Sequence, residues 1–202
     1  MAFAPDTFSA MTDDQRATPT ALLREEHELI VRVAGALGVR LAGHNELDYD
    51  NLDRCVTFFR LYADACHHGK EEEMLFPALG ANGLPQEAGP IAVMLMEHDE
   101  GRRLVQAMAD SAKAARRGEP GAAEALVAAS LGFVDLITTH IAKENSILFE
   151  MADQVIEGSD RHDLLAAYDG TADHRYEGHS KADLEQLGQE IVRNWVPPEP
   201  HL

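Results

Sequence analysis

The feature that most constrains this chain is a repeat of apolar residues at alternating steps of three and four, which marks one face of an amphipathic helix. The repeat runs through three long segments, 23–41, 91–112 and 133–151. A fourth helical segment is expected at about 50–79, where a Gly-Ala-Asn-Gly cluster follows. Short connections between long helices favour antiparallel neighbours. The sequence therefore predicts an all-α fold, an up-down-up-down antiparallel four-helix bundle.

Helix-start and helix-stop residues give the limits of the bundle. A Thr-Pro pair at 18–19 is typical of a helix start, so we expect residues 1–17, which show no sustained period, to form a flexible N-terminal arm. The bundle is then expected over 18–157. A Gly-Ser pair separates it from a C-terminal extension over 158–202, with one additional helix at about 160–195 that packs on the bundle, and a Pro-rich tail.

The net charge excludes several classes of partner. The chain has 17 Lys and Arg against 35 Asp and Glu, a formal charge of −18. Such a surface repels phosphate backbones and anionic lipids, so we expect neither nucleic acid nor a membrane as partner. The sequence contains no unbroken apolar run of roughly 18–20 residues, its first residues do not resemble a secretory signal, and its two cysteines are too few for a disulfide scaffold. We expect a cytoplasmic protein.

Histidine interrupts each of the three apolar repeats. His27, His98 and His140 occupy inward-facing positions, Glu144 follows one turn after His140, and Ile147 continues that stripe. Burying an unpaired polar group costs a few kcal/mol. A backbone carbonyl can provide the hydrogen bond that one buried histidine needs. When several helices each present a histidine to the same core, a bound cation can satisfy all of these histidines together.

The segment at 50–79 adds the densest cluster. At about 100° per residue, Glu71 falls between His67 and His68 on the helix surface, within the arc that faces inward. Glu72 lies at the border of this arc and replaces Glu71 if the register is slightly different. Lys70 falls well outside the arc, and we expect it in solvent.

One local arrangement occurs twice. His67-x-x-x-Glu71 and His140-x-x-x-Glu144 each place an imidazole one turn before a carboxylate on one helical face. A single pair of this kind arises often by chance, but two pairs in core-facing stripes indicate a metal site. The predicted metal ligands are His27, His67, His68, Glu71, His98, His140 and Glu144.

The donor types narrow the choice of metal. The set is too large for one tetrahedral zinc ion and too rich in nitrogen for calcium or magnesium. Imidazole with carboxylate suits iron, manganese or zinc. Two octahedral ions, bridged by both carboxylates and by an oxo or hydroxo group, would use the whole set and keep one position open for a diatomic molecule or peroxide. The chain contains no Glu-x-x-His, which argues against a ferritin-type site.

Four motifs resemble the hemerythrin-like (HHE cation-binding) family in order and spacing, over about residues 20–155. The motifs are EH at 26–27, CHHGKEE at 66–72 with LFP at 75–77, EHD at 97–99, and HIAKE at 140–144 with LF at 148–149. The resemblance implies a four-helix bundle around a non-haem di-iron centre, with the seven residues above as ligands and Glu71 and Glu144 as the bridges. It also implies dioxygen binding as in the respiratory members, or the oxygen sensing, nitric oxide sensing, iron handling and peroxide chemistry associated with bacterial relatives.

The chain departs from the oxygen carriers of this family on its third helix. The carriers have His-x-x-x-His there, whereas this chain has His98 followed by Arg102, and His68 is expected to supply the missing imidazole. The resemblance therefore does not by itself imply that this chain carries oxygen reversibly, as the oxygen carriers of the family do. We expect a protein that binds dioxygen, nitric oxide or peroxide for storage, delivery or sensing. The alternatives are a di-iron enzyme that consumes peroxide or nitric oxide, an iron-handling or repair protein, and a structural zinc or manganese site. The sequence identifies no catalytic residue and no protein partner.

Overall fold

A computed structural model describes residues 18–42, 47–171 and 174–195, and within these ranges the chain is helical with no strand. The all-α prediction is confirmed. The predicted N-terminal arm and the Pro-rich tail lie outside the described residues. The helices are α1 (Pro19–Ala42), α2 (49–81), α3 (Gly89–Arg116), α4 (122–155), α5 (Gly158–Asp169) and α6 (Lys181–Trp195).

Two of the helices change their winding where the predicted ligands lie. In α2, the π-helical segments Phe59–His68 and Glu71–Leu75 interrupt an α-helix that begins with Tyr49–Phe58 and ends with Phe76–Ala81. In α4, the π-helical turn Glu144–Leu148 lies between Ala122–Lys143 and Phe149–Val155. Turns of this kind are rare and occur frequently at functional sites.

Local hydrogen bonds explain where two of the helices begin. The Thr18 hydroxyl accepts a hydrogen bond from the backbone N–H of Ala21, as the predicted helix start requires. The Asp48 carboxylate accepts one from the N–H of Asn51 at the start of α2. Both caps satisfy N–H groups that have no partner within the helix.

Packing places α6 between the first two helices of the bundle. α3 lies along α4, α1 contacts both α4 and α6, and α2 contacts α3 and α6. α6 thus packs against both α1 and α2 through its buried residues Leu184, Gly188, Ile191 and Trp195. The extension is therefore part of the packed core and not an appendage.

Two clusters of buried apolar side chains form that core, a small cluster that contains Leu23 and a large cluster that contains Ile30. Each of the first four helices crosses from one cluster to the other, and the direction of crossing alternates from each helix to the next. The nearest cluster residues on either side of the crossing are Leu23 and Leu29 in α1, Cys66 and Leu75 in α2, Met94 and Val105 in α3, and Ile141 and Leu148 in α4. The predicted ligands lie between these residues, except for His140, which directly precedes Ile141.

The C-terminal extension differs from the prediction of one additional helix. It forms two helices, α5 and α6, because the chain turns between them. Glu177 (φ 50°) and Gly178 (φ 90°) are in the left-handed region, and Tyr176 and His179 exchange backbone hydrogen bonds across this turn. A continuous helix at 160–195 cannot accommodate such a turn.

By length and composition alone, one helix of the described part of the chain, α4, is apolar enough to cross a membrane. One such helix is weak evidence, since the core helix of a globular domain passes the same test. α4 packs along α1 and α3 and buries Glu144 completely. This packing and the buried carboxylate are typical of a helix that contributes to a protein core.

Gly188→Ala is expected to lower the melting temperature by several degrees. A Cβ atom at position 188 of α6 would lie 2.6 Å from the buried ring of Phe58 and 3.2 Å from the methyl groups of Leu29. Overpacking of this kind costs about 1–3 kcal/mol. The matched control is Gly35→Ala in α1, where no atom lies within 4 Å of the added Cβ and the better helix former should raise stability by roughly 0.5–1 kcal/mol. Equal melting of the Gly188 variant and the parent would contradict the described docking of α6.

Candidate metal centre

The π-helical turns set the direction of the two predicted bridging carboxylates. Glu71 and Glu144 each begin such a turn, and both side chains are fully buried. The wider turn also changes which later residues face inward. Ile147, predicted to continue the core stripe, is 50% exposed, whereas Leu148 is fully buried. The prediction for Ile147 was wrong because it assumed a uniform α-helical period.

All seven predicted ligand residues come together in two buried groups that share Glu71. Within each group, one potential ligand atom from every residue lies within 4.8 Å of the others. We call them the three-histidine group and the two-histidine group. The three-histidine group contains His68, Glu71, His98 and His140, and the two-histidine group contains His27, His67, Glu71 and Glu144.

The two carboxylates lie between the groups. One Glu71 oxygen lies 3.6 Å from His67 Nε2 and the other lies 3.5 Å from His98 Nε2. A single Glu144 oxygen lies 3.2 Å from His27 Nε2 and 3.3 Å from His140 Nε2. Each carboxylate therefore reaches histidines of both groups, which is the arrangement that a bridging ligand requires.

Nε2 of His98 and Nε2 of His140 lie 3.1 Å apart, but six other atoms that face the centre of the site have no hydrogen-bond partner among the described residues. This holds for Nε2 of His27 and His67 and for all four carboxylate oxygens of Glu71 and Glu144, although some of them lie close together. A buried polar atom without a partner costs about 1–3 kcal/mol, and more when it is charged. Cations held between these atoms would satisfy all of them at once, so the donor set fits bound metal.

The second ring nitrogen, Nδ1, of each of the five histidines contacts a polar side chain. When Nδ1–H donates a hydrogen bond, Nε2 keeps its lone pair for a metal, and the ring orientation is fixed. The Nδ1 partners are Asn145 Oδ1 at 2.9 Å for His27, Glu26 Oε2 at 2.9 Å for His67, Asp64 Oδ1 at 3.4 Å for His68, Glu72 Oε1 at 2.6 Å for His98, and Glu97 Oε2 at 3.0 Å for His140.

Sequence reasoning did not select Glu26 and Glu97 as site residues. Each directly precedes a predicted ligand, in Glu26-His27 and Glu97-His98, but supports a histidine on a different helix. The adjacent Glu-His pair was the available signal. Which histidine the carboxylate would contact depends on helix packing, and the sequence alone does not give it.

Lys70 is buried and not in solvent as predicted. Its ammonium donates a hydrogen bond to Glu26, and Lys181 of α6 forms an ion pair with the same carboxylate at 2.9 Å. Glu26 thus has two cations and the His67 ring around it. Burial opposes its ionisation, but these contacts outweigh burial and lower the pKa of Glu26.

Glu72, the alternative to Glu71, lies outside both groups. It is partly exposed and accepts hydrogen bonds from His98 Nδ1 and from the Arg102 guanidinium. Arg102, which stands at the position where the sequence departs from the oxygen carriers, therefore anchors a residue that orients His98. The geometry favours Glu71 as the shared carboxylate.

Burial keeps two of the imidazoles in the neutral form that a metal requires. Burial, followed by repulsion from His27, lowers the pKa of His67 to about 4. Burial lowers the pKa of His68 well below its ordinary value. Burial, followed by the charge of Glu144, raises the pKa of Glu71 well above its ordinary value. Metal binding therefore competes with protonation of Glu71, whereas burial already favours the neutral imidazoles that it needs.

A cavity of about 220 Å³ reaches the three-histidine group from between α2, α3 and α4. His68, His98 and His140 line it together with apolar side chains that include Phe59 and Phe133. It gives a small molecule a route to this side of the site.

Two linked groups of buried histidine and carboxylate side chains, carried by four helices, define the class of helical cation-binding proteins. A family model described as the hemerythrin HHE cation-binding domain matches residues 18–152. The chain belongs to this family. No curated protein and no solved structure matches it.

Proposed function

We propose that this chain is a non-haem di-iron protein that binds dioxygen or a related small ligand, nitric oxide or peroxide, for storage, delivery or sensing. The observation that carries the proposal is the pair of buried groups joined by Glu71 and Glu144, in which all four carboxylate oxygens and Nε2 of His27 and of His67 have no hydrogen-bond partner among the described residues. Two iron ions with an oxo or hydroxo bridge suit these donors, although zinc or manganese has similar preferences. The alternating direction of helix crossing supports an up-down-up-down bundle.

The donor count assigns the open position to one side of the site. The three-histidine group offers three imidazoles and the two-histidine group two, while both carboxylates reach each group. With an oxo or hydroxo bridge between the ions, an octahedral ion in the three-histidine group would be complete, whereas one in the two-histidine group would keep one position for an external ligand. Bound iron would supply the electrons that a diatomic ligand takes up and returns.

The protein's own residues orient the ligand rings and enclose the site between two apolar clusters. The Nδ1 hydrogen bonds fix the rings, and the two apolar clusters enclose the ligands from both sides. A protected, preorganised site of this kind favours reversible binding over side reactions. With a formal charge of −18, we propose cytoplasmic action on a small molecule and not on nucleic acid or a membrane.

Anaerobic loading with ferrous iron is expected to give about two iron ions per chain, as two octahedral sites require. Exposure to air should then produce a visible absorption band that disappears on deoxygenation. Glu144→Ala should lose the band, whereas Asp135→Ala, at an exposed position of the same helix, should keep it. A single zinc ion per purified chain, or irreversible bleaching in air, would contradict the proposal.

Steady-state consumption of peroxide or nitric oxide that Glu144→Ala abolishes would instead identify the enzyme alternative.

A further inference from the structure

The C-terminal extension contributes a tyrosine to the neighbourhood of the metal site. Tyr168 lies in α5, beyond the residues 18–152 that match the family model, and its side chain is buried. α5 contacts the π-helical turn Glu71–Leu75 of α2 and also contacts α1. The helix therefore reaches the part of the bundle that carries Glu71.

The packing of Tyr168 places it on the side of the two-histidine group. It belongs to the small cluster with Leu23, Leu75 and Phe149. Leu23 precedes His27 by one helical turn, Leu75 ends the turn that Glu71 begins, and the Phe149 ring stacks on the His27 ring with centroids 5.3 Å apart and planes within 3°. The tyrosine is thus packed with neighbours of the two-histidine group, the group to which the donor count assigns the open position.

The neighbouring charges agree with this placement. The Lys70 ammonium lies 5.9 Å from the centroid of the Tyr168 ring. Burial, followed by the charges of Glu71 and Glu26, raises the pKa of Tyr168 well above its ordinary value. The hydroxyl is therefore protonated at neutral pH and can donate a hydrogen bond.

The Tyr168 hydroxyl has no partner in the described part of the chain, although it is buried. An unsatisfied buried hydroxyl costs about 1–3 kcal/mol, so apolar packing alone would favour phenylalanine at this position. Among the described residues, the other six buried side-chain atoms in the same condition all belong to predicted metal ligands, namely His27, His67, Glu71 and Glu144. This shared condition indicates that the hydroxyl, like them, serves a group bound at the site.

We propose that Tyr168 is a specificity-determining residue of the metal centre, whose hydroxyl donates a hydrogen bond to a small anionic ligand at the open position beside His27 and His67. The inference rests on the proposed function. Hydrogen bonds to charged acceptors are stronger than those to neutral ones. Tyr168 therefore favours ligands that carry or gain negative charge, such as azide or reduced oxygen species, over neutral ligands such as carbon monoxide.

The test is azide binding to the ferric, iron-loaded protein, followed by the absorption band that azide induces. Tyr168→Phe should weaken azide binding roughly tenfold or more, since hydrogen bonds to charged groups contribute about 1.5–3 kcal/mol. Iron content should not change, and the metal-free variant should melt at the same temperature as the parent or higher, because an unsatisfied hydroxyl has been removed. The matched control is Tyr176→Phe, a second buried tyrosine of the extension, whose hydroxyl bonds to Cys66. It should leave azide binding unchanged.

Three results would overturn the inference. Equal azide affinity of Tyr168→Phe and the parent shows that the hydroxyl does not contact the ligand. A lower melting temperature of the metal-free Tyr168 variant shows that the hydroxyl has a structural partner. Loss of a visible band from the iron-loaded variant before azide is added shows that the phenolate binds iron directly. If the parent chain itself binds neither iron nor azide, the proposed function is wrong, and the result says nothing specific about Tyr168.

Discussion

Glu71→Gln is expected to abolish binding of both proposed metal ions. Glu71 belongs to both groups, and its two oxygens face His67 on one side and His98 on the other. An amide keeps the shape but offers one weak oxygen donor and turns an N–H₂ group toward one of the imidazoles. Loss of a supporting residue typically weakens metal binding 10–100-fold, so loss of the shared carboxylate should weaken both sites by roughly 100-fold or more. Metal analysis after dialysis against a weak chelator measures the loss.

The fold should survive this substitution. Burial and the charge of Glu144 raise the pKa of Glu71, so the metal-free chain already favours the uncharged acid that glutamine imitates. The melting temperature of metal-free Glu71→Gln should therefore be close to that of the metal-free parent. Glu73→Gln, an exposed position two residues further along α2, is the matched control and should keep both ions. Retention of one ion by Glu71→Gln would show that the carboxylate serves a single group.

Removal of the metal from the parent chain is expected to lower its melting temperature by about 10 °C or more. Ions that bind only the folded state stabilise it by about 4 kcal/mol each at a thousand times the dissociation constant. A change of 1 kcal/mol shifts the melting temperature of a domain of this size by about 2–4 °C. The metal-free chain must also keep the inward-facing oxygens of Glu71 and Glu144 buried without partners. Calorimetry before and after chelation, and after reloading, measures the change.

The Glu71→Gln variant provides the control for this experiment. Because it should hold no metal, chelation should leave its melting temperature unchanged. A parent chain that melts at the same temperature with and without metal would mean that the ions contribute nothing to the folded state. That result would contradict a buried site built from α1, α2, α3 and α4.

Several features of the site followed from residue spacing. The alternating steps of three and four predicted long helices, and the histidines within the stripes predicted that His27, His98 and His140 face the core. The structure buries all three. The motifs also led to the family, which the match over residues 18–152 confirms. Spacing succeeds here because the helical period decides which residues share a face, and this depends only on positions along one chain segment.

Residue spacing did not predict the local departures from the regular helical period. The π-helical turn at Glu144 turned Ile147 outward and Leu148 inward. Such turns add one residue to a helical turn without a distinct residue pattern. A π-helical turn persists when the surrounding packing and polar contacts offset its less favourable backbone hydrogen bonds. Those contacts come from other helices and therefore depend on the tertiary structure.

The sequence by itself determined the helical class, the family and the seven side chains that converge on the core, because these depend on period and residue type. Only the tertiary structure decided which carboxylate supports which histidine, why Lys70 is buried beside Glu26, and that α5 brings Tyr168 into the small apolar cluster with Leu23 and Leu75. Contacts between helices depend on the relative shift and rotation of whole helices. Those are set by the summed packing of many side chains and not by any local motif.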